Sequence, residues 1–192
     1  VEVTHQMKEI ARHLAELNGS RPRISRFYDD PKESRIDIAI LDNQPNEHET
    51  TYATIGLSHY DIGYTADDKP LRVEFIGACM DEYVLFGNLL STCAFNIINS
   101  GYSCFPGAMY PNVVKMYYPK LNMKHVMFVS PFLWDENLAS FDFEDKYVSW
   151  LQAIPISEDE YVYAEKNGSE ALEDLLEEAG VDTMDLNRPS VV

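Results

Sequence analysis

The stretch YVLFGNLLSTCAFNII, residues 83–98, limits the fold more than any other part of this chain. Val84, Leu85, Phe86, Leu89, Leu90, Cys93, Ala94, Ile97 and Ile98 recur at helical spacing, but they cover too wide an arc for a helix with one face in water. Gly87, Asn88, Ser91, Thr92 and Asn96 interrupt the run, and it is shorter than the roughly 20 apolar residues that cross a bilayer. The solution left is a helix over 82–99 buried in protein, capped by Asp81 and ended at Ser100-Gly101.

The cover for that helix is written in period two. Ile36, Ile38 and Ile40 alternate with Arg35, Asp37 and Ala39, and a second run, TYATIGLSHY (51–60), follows the polar loop DNQPNEHET. LRVEFIGACM (71–80) follows the turn ADDKP, and VVKMYYP (113–119), HVMFVSPFLW (125–134) and YVSWLQAIPI (147–156) continue the pattern. GYSCFPGAMYPN (101–112) reads as an irregular connector. The predicted fold class is α+β, a mainly antiparallel (mixed) sheet flanked by helices. At 192 residues, with no repeat and no linker, one domain over 1–192 is expected.

Three further helices carry recognisable ends. Met7, Ile10, Ala11, Leu14 and Leu17 form an apolar stripe between Thr4, a candidate N-cap, and the stop Asn18-Gly19. Ser157 and Glu160 match a capping box for a helix ending near Asn167-Gly168. Ala171, Leu172, Leu175, Leu176 and Ala179 form the next stripe, closed by Gly180.

Charge narrows the partners. Fifteen Lys and Arg stand against 32 Asp and Glu, a net charge of −17, which opposes bare nucleic acid and anionic membranes and favours a basic partner. The acid is concentrated: residues 157–185 hold eleven acidic side chains and one lysine. Glu177 and Glu178 fall at a helix C-terminus, where the macrodipole disfavours anions, so local stability does not explain them.

Catalytic patterns are missing: there is no G-x-S-x-G, Walker loop, G-x-G-x-x-G or H-E-x-x-H. Cys79, Cys93 and Cys104 lack CxxC spacing and read as buried free thiols of a reducing cytoplasm. No sequence feature supplies a base for Cys104. His5, His13, His48, His59 and His125 are scattered, and Ser58, His59 and Asp61 read as strand-end and turn residues rather than a triad. Glu49, Asp61, Asp67, Asp68, Asp81 and Glu82 are the carboxylates a hard metal would need, without the spacing of a calcium loop. The chain is expected to be no enzyme and to need no cofactor or metal. The opening VEVTHQMKEIARHLAEL lacks the features of a signal peptide, so a cytoplasmic protein is expected.

Four segments carry a resemblance: YATIGLSHYDI (52–62) with LRVEFIG (71–77), HVMFVSPFLW (125–134), AIPISEDEY (153–161), and GSEALEDLLEEAGVDTMDLNRPSVV (168–192). Together, and most specifically through D-x-x-D-L-N-R-P-S, the chain resembles the Suppressor of fused domain family. Residues 1–51 contribute no matching motif. The resemblance implies that the C-terminal string is docked, with Leu186 and Val191 buried, Pro189 fixing direction, and Arg188 paired to a carboxylate or to carbonyls.

It also implies a role. Bacterial single-domain relatives resemble immunity proteins, antitoxins that bind and neutralise the C-terminal nuclease domain of a polymorphic toxin, here one of LXG type. The expected partner is thus a basic protein surface, with no direct contact to nucleic acid or membrane. The alternative implied by the animal relative is a peptide-binding scaffold that sequesters a regulatory protein by strand addition at a sheet edge. A carboxylate-metal enzyme is the third option. The candidate contacts lie in WDENLASFDFEDKY: Asp135, Glu136, Asp142, Glu144 and Asp145 as acids, Phe141 and Phe143 as anchors, or else as rings tucked inward under a solvated loop.

Overall fold

The computed structural model describes residues 2–192, the side chain of Asp135 excepted. Helix α1 (His5–Asn18) begins where the Thr4 hydroxyl accepts a 3.2 Å hydrogen bond from the Met7 amide, and it ends at Gly19 in the left-handed region. β1 (Arg23–Tyr28), β2 (Arg35–Asp42), β3 (Glu49–Ile55), β4 (Tyr64–Ala66) and β5 (Lys69–Met80) follow, with β1 on β2, β2 on β3, and both β3 and β4 on β5, all antiparallel. Next come α2 (Phe86–Ser100), β6 (Met109–Tyr110), α3 (Val113–Tyr117) and β7 (Met123–Val129). β8 (Phe141–Asp142), β9 (Tyr147–Ser157), α4 (Glu158–Asn167) and α5 (Ser169–Ala179) complete the order.

The strands run β1-β2-β3-β5-β9-β7-β6, with β4 on β5 and β8 on β9. β5 and β9 are parallel at the centre of this order, while the other described pairs are antiparallel. The fold is therefore α+β with a mixed, mainly antiparallel sheet, as the patterning predicts.

Strand alternation gives the sheet two apolar faces. On one, Ile36, Ile38, Tyr52, Phe75, Phe128 and Leu151 pack with α2 and α3. The approach is close: a Cβ at Gly77 would lie 2.8 Å from the Phe86 ring, so glycine is required where α2 crosses β5. On the other face α1 covers Ala39, Leu41, Ala53, Ile76 and Ala78, while α4 and α5 cover Met127, Val129, Ile154 and Ile156.

Several local expectations fail, among them the strand read over HVMFVSPFLW (125–134), which stops at Val129. VVKMYYP is not a strand; Val113–Tyr117 is one short helix, entered through Asn112 at φ 62°. Val113 and Val114 are both buried while Lys115 and Met116 are exposed, a helical grouping that overrides the β-propensity of paired valines. The buried helix starts at Phe86 rather than residue 82, and Asp81 does not cap it. Asp81 instead accepts a 2.6 Å hydrogen bond from the Thr50 hydroxyl, and residues 81–85 form turns that leave Val84 and Leu85 exposed.

The C-terminal segment is docked. The Met184 and Leu186 carbonyls accept hydrogen bonds from the amides of Met80 and Met123, tying the end of β5 to the start of β7. Leu186 is fully buried, worth about 1.5–3 kcal/mol. Arg188 makes a buried, two-pronged ion pair with Glu160, at 2.6 and 2.9 Å, and donates to the Pro155 and Pro189 carbonyls. Glu160 is also the reciprocal partner of Ser157 in the capping box, and it accepts from the Val191 amide. A local helix cap and the end of the chain thus share one carboxylate.

Candidate interaction surface

Segment 130–146, which links β7 to β9, packs beside α1 at one flank, through Leu133, Trp134, Leu138, Phe141 and Phe143, and reaches α5 residues at the other, through Ser130 and Phe132. The Phe132 amide donates to Oε1 of buried Gln152 at 3.0 Å, and the Trp134 indole donates to the Thr51 hydroxyl at 3.1 Å. The Ala139 amide donates to His13 Nε2 on α1 at 3.0 Å, and the Trp150 indole donates to the Ala139 carbonyl at 2.9 Å. Burial lowers the His13 pKa, with Glu16 opposing, in keeping with a neutral ring that accepts. Nothing in the sequence marked His13 or Gln152 as anchors, because their partners are distant along the chain.

The loop residues singled out above are spread along this segment. Phe141 and Phe143 stack at 5.5 Å, and Phe141 meets the His13 ring edge-on at 5.6 Å. Both rings are half-buried against the cluster beneath α1, with part of each surface left open. Asp142 pairs with Lys69 at 2.7 Å, and Asp145 accepts from Gln6 at 2.6 Å. Glu144 and Asp145 join Phe143, His5 and Gln6 around an open hollow. Glu136 sits apart in the turn Asp135–Asn137, and the Asp135 side chain lies outside the described residues. Among the described residues neither Glu136 nor Glu144 has a cation within ion-pair distance.

On the other flank of the segment lies a cleft of about 420 Å³ against α5. Its floor is Val129, Ile154 and Leu176, Val181 forms a wall, and its rim carries Phe132, Glu173 and Glu177. Phe132 is 50% exposed, and its backbone amide is held by Gln152. Burial raises the Glu173 pKa, and Glu170 and Asp174 raise it further.

The residues considered for chemistry fall elsewhere. Ser58 and His59 lie in a 3-10 turn after β3; His59 contacts Thr4 and the Gly56 carbonyl, while Asp61 pairs with Arg72. That turn is held by Glu74, a fully buried side chain that accepts from the amides of Gly56, Leu57 and Ser58 and from the Thr54 hydroxyl. Lys146 closes the same turn by donating to the Ser58 carbonyl. All three cysteines are buried and free, and burial pushes the Cys104 thiol up to about 12, away from a nucleophilic thiolate. Among the described residues no group of three or more His, Cys, Asp or Glu is placed to hold a metal, and no helix is long and apolar enough to cross a membrane.

The molecule is thus an α+β domain with helices on both faces of a mixed sheet and a buried arginine that pairs its C-terminal segment with α4. Residues 32–189 match the family model of the Suppressor of fused protein (SUFU), and the chain belongs to that family. It is 47% identical to the Immunity protein YqcF of Bacillus subtilis (strain 168) over 190 residues, 99% of each chain. A putative Suppressor of fused homolog from Neisseria gonorrhoeae FA 1090 shares the fold with a TM-score of 0.75 and 18% identity, covering 97% of both chains. The Sufu-Fu complex matches with a TM-score of 0.68 and 13% identity, covering 97% of this chain and 92% of that one. Drosophila Suppressor of fused matches with a TM-score of 0.67 and 14% identity, over 97% of this chain and 51% of its own.

Proposed function

We propose that this chain is a single-domain, cytoplasmic immunity protein that binds and neutralises the C-terminal nuclease domain of a cognate toxin of LXG type. The observation that carries this reading is 47% identity, over essentially the whole length of both chains, to a protein named as an immunity protein. The acidity supports it from physics. A nuclease domain must present a basic face to its polyanionic substrate, and a chain of net charge −17 is steered to such a face and competes for it. Inhibition then comes from occupancy, without bond making.

Asp135, Glu136, Asp142, Glu144 and Asp145 supply the anionic contacts in this reading, and the open parts of Phe141 and Phe143 supply the anchors. Glu136 and Glu144, which have no cation within ion-pair distance among the described residues, contribute most to steering.

Co-expression with the toxin gene, scored for survival, tests the role: the chain rescues growth, and loss of rescue rejects it. Titration of the purified toxin domain tests the electrostatics. Affinity should fall as salt rises from 0.05 to 0.5 M, because exposed charges are screened within about 10 Å at 0.1 M. An affinity indifferent to salt rejects the charge-based interface.

A second reading rests on β1, the outer strand of the sheet order, where Ile24 and Tyr28 are 47% and 51% exposed. An extended peptide from a regulatory protein would add there through backbone bonds. Proline at Ser25 would abolish such binding and leave capture of a toxin domain by the other face intact.

A further inference from the structure

We propose that the cleft between α5 and the ends of β7 and β9 is a socket for an arginine side chain presented by a basic protein partner. The inference deepens the immunity reading, and rests on it only for who supplies the arginine.

The shape comes first. A cleft of about 420 Å³ falls within the roughly 300–1,000 Å³ range of ligand sites, large enough for a long side chain with part of its backbone. Its floor of Val129, Ile154 and Leu176 is apolar and well buried, which suits an aliphatic stem. The rim is different in kind. Glu173 and Glu177 are four apart on α5, so their carboxylates are neighbours on one helix face, and Phe132 offers an exposed ring at the same opening.

The charges of the rim are unmatched inside the protein. Among the described residues neither Glu173 nor Glu177 has a cation within ion-pair distance, and α5 has no basic residue in its last turn. Arg188, the nearest arginine in sequence, is buried, and its two terminal nitrogens are held by Glu160 and two carbonyls. Each rim carboxylate repels the other, and Glu177 also opposes the helix dipole. A cation seated at the rim relieves both repulsions, so the site gains more from a positive group than an ordinary surface acid would.

Arginine fits better than lysine. Its planar fork bonds two carboxylates at once and stacks on an aromatic face, whereas an ammonium is a compact, strongly hydrated charge. The Phe132 amide is hydrogen-bonded to buried Gln152, which anchors the backbone that carries this ring.

The test uses the whole chain, labelled with ¹⁵N and titrated with N-acetyl-arginine methylamide, alongside the lysine and norleucine amides. Saturable shifts at Ser130, Phe132 and Val181, strongest with arginine, are expected. Glu173→Gln/Glu177→Gln should weaken arginine binding by about tenfold, the equivalent of one charge-assisted hydrogen bond, while keeping the fold. Equal binding of norleucine or lysine, shifts spread evenly over α4 and residues 135–145, or an unaffected double variant would each overturn the socket. The two readings separate cleanly. Capture of the toxin domain with no arginine binding leaves immunity standing and removes the socket; arginine binding without toxin capture does the reverse.

Discussion

Glu160 and Glu177 stand on the same helical hairpin and are treated in opposite ways. Glu160 is fully buried, with four hydrogen bonds from Ser157, Arg188 and Val191 and a full cationic partner. Glu177 is exposed, has no cation within ion-pair distance among the described residues, and sits where the helix carbonyls repel it. The difference separates two uses of acid. In one, the charge is internally balanced and joins the terminal segment to the fold; in the other, it is left for something outside. Composition alone merges the two into one surplus.

Breaking the balanced side should have the largest effect. Arg188→Met strands a carboxylate in the interior and should cost about 3–5 kcal/mol of unfolding free energy, read by urea denaturation. The double variant Glu160→Met/Arg188→Met removes both charges and should recover most of that loss. It should remain about 1 kcal/mol short, because the Ser157 and Val191 amides lose their acceptor. A double variant no better than the single would show that Arg188 acts through its contacts to Pro155 and Pro189 and not through charge balance.

Glu74 extends the comparison to the sheet. It, too, is fully buried and bonded, but its donors are three amides of one turn and a hydroxyl, with no direct ion pair. Burial pushes its pKa up, and hydrogen bonds from Thr54, Ser58 and Gly56 oppose that shift. Glu74→Gln keeps one acceptor oxygen and points an N–H₂ group at amides that need an acceptor. A loss of about 1–3 kcal/mol is expected, with faster hydrogen exchange at Gly56, Leu57 and Ser58. Unchanged exchange at those amides would mean that Glu74 does not hold the turn.

How much of this was legible depended on how far apart the cooperating residues lie. The Ser157–Glu160 box, the Thr4 cap and the Gly19 and Gly180 stops are local devices, and each forms where the spacing places it. Arg188 was readable as a docked arginine through the family resemblance, and its partner turned out to be the residue already assigned to the box. α3 was missed because two adjacent valines favour a strand until α2 and β7 are there to bury them both. The cleft was missed for the same reason on a larger scale: Phe132, Ile154 and Glu177 come from three separate segments, and nothing local ties them together. What did show was the misfit of Glu177 and Glu178 with their own helix, a sign of acid placed for some other reason.

That misfit gives the smallest and sharpest test. Glu178 lies in the last turn of α5 beside the cleft residues but does not line the cleft. Glu178→Gln removes one charge opposed to the dipole and should stabilise by about 0.3–1 kcal/mol, raising Tm by about 1–4 °C at low ionic strength. The gain should shrink in 1 M salt, where the screening length is about 3 Å. Because Glu178 stands outside the rim, its replacement should leave arginine binding unchanged, while Glu177→Gln gives a similar stability gain with weaker binding. Equal behaviour of the two in both assays would merge Glu177 into the general acidic surface, and the contrast with Glu160 would then describe burial alone.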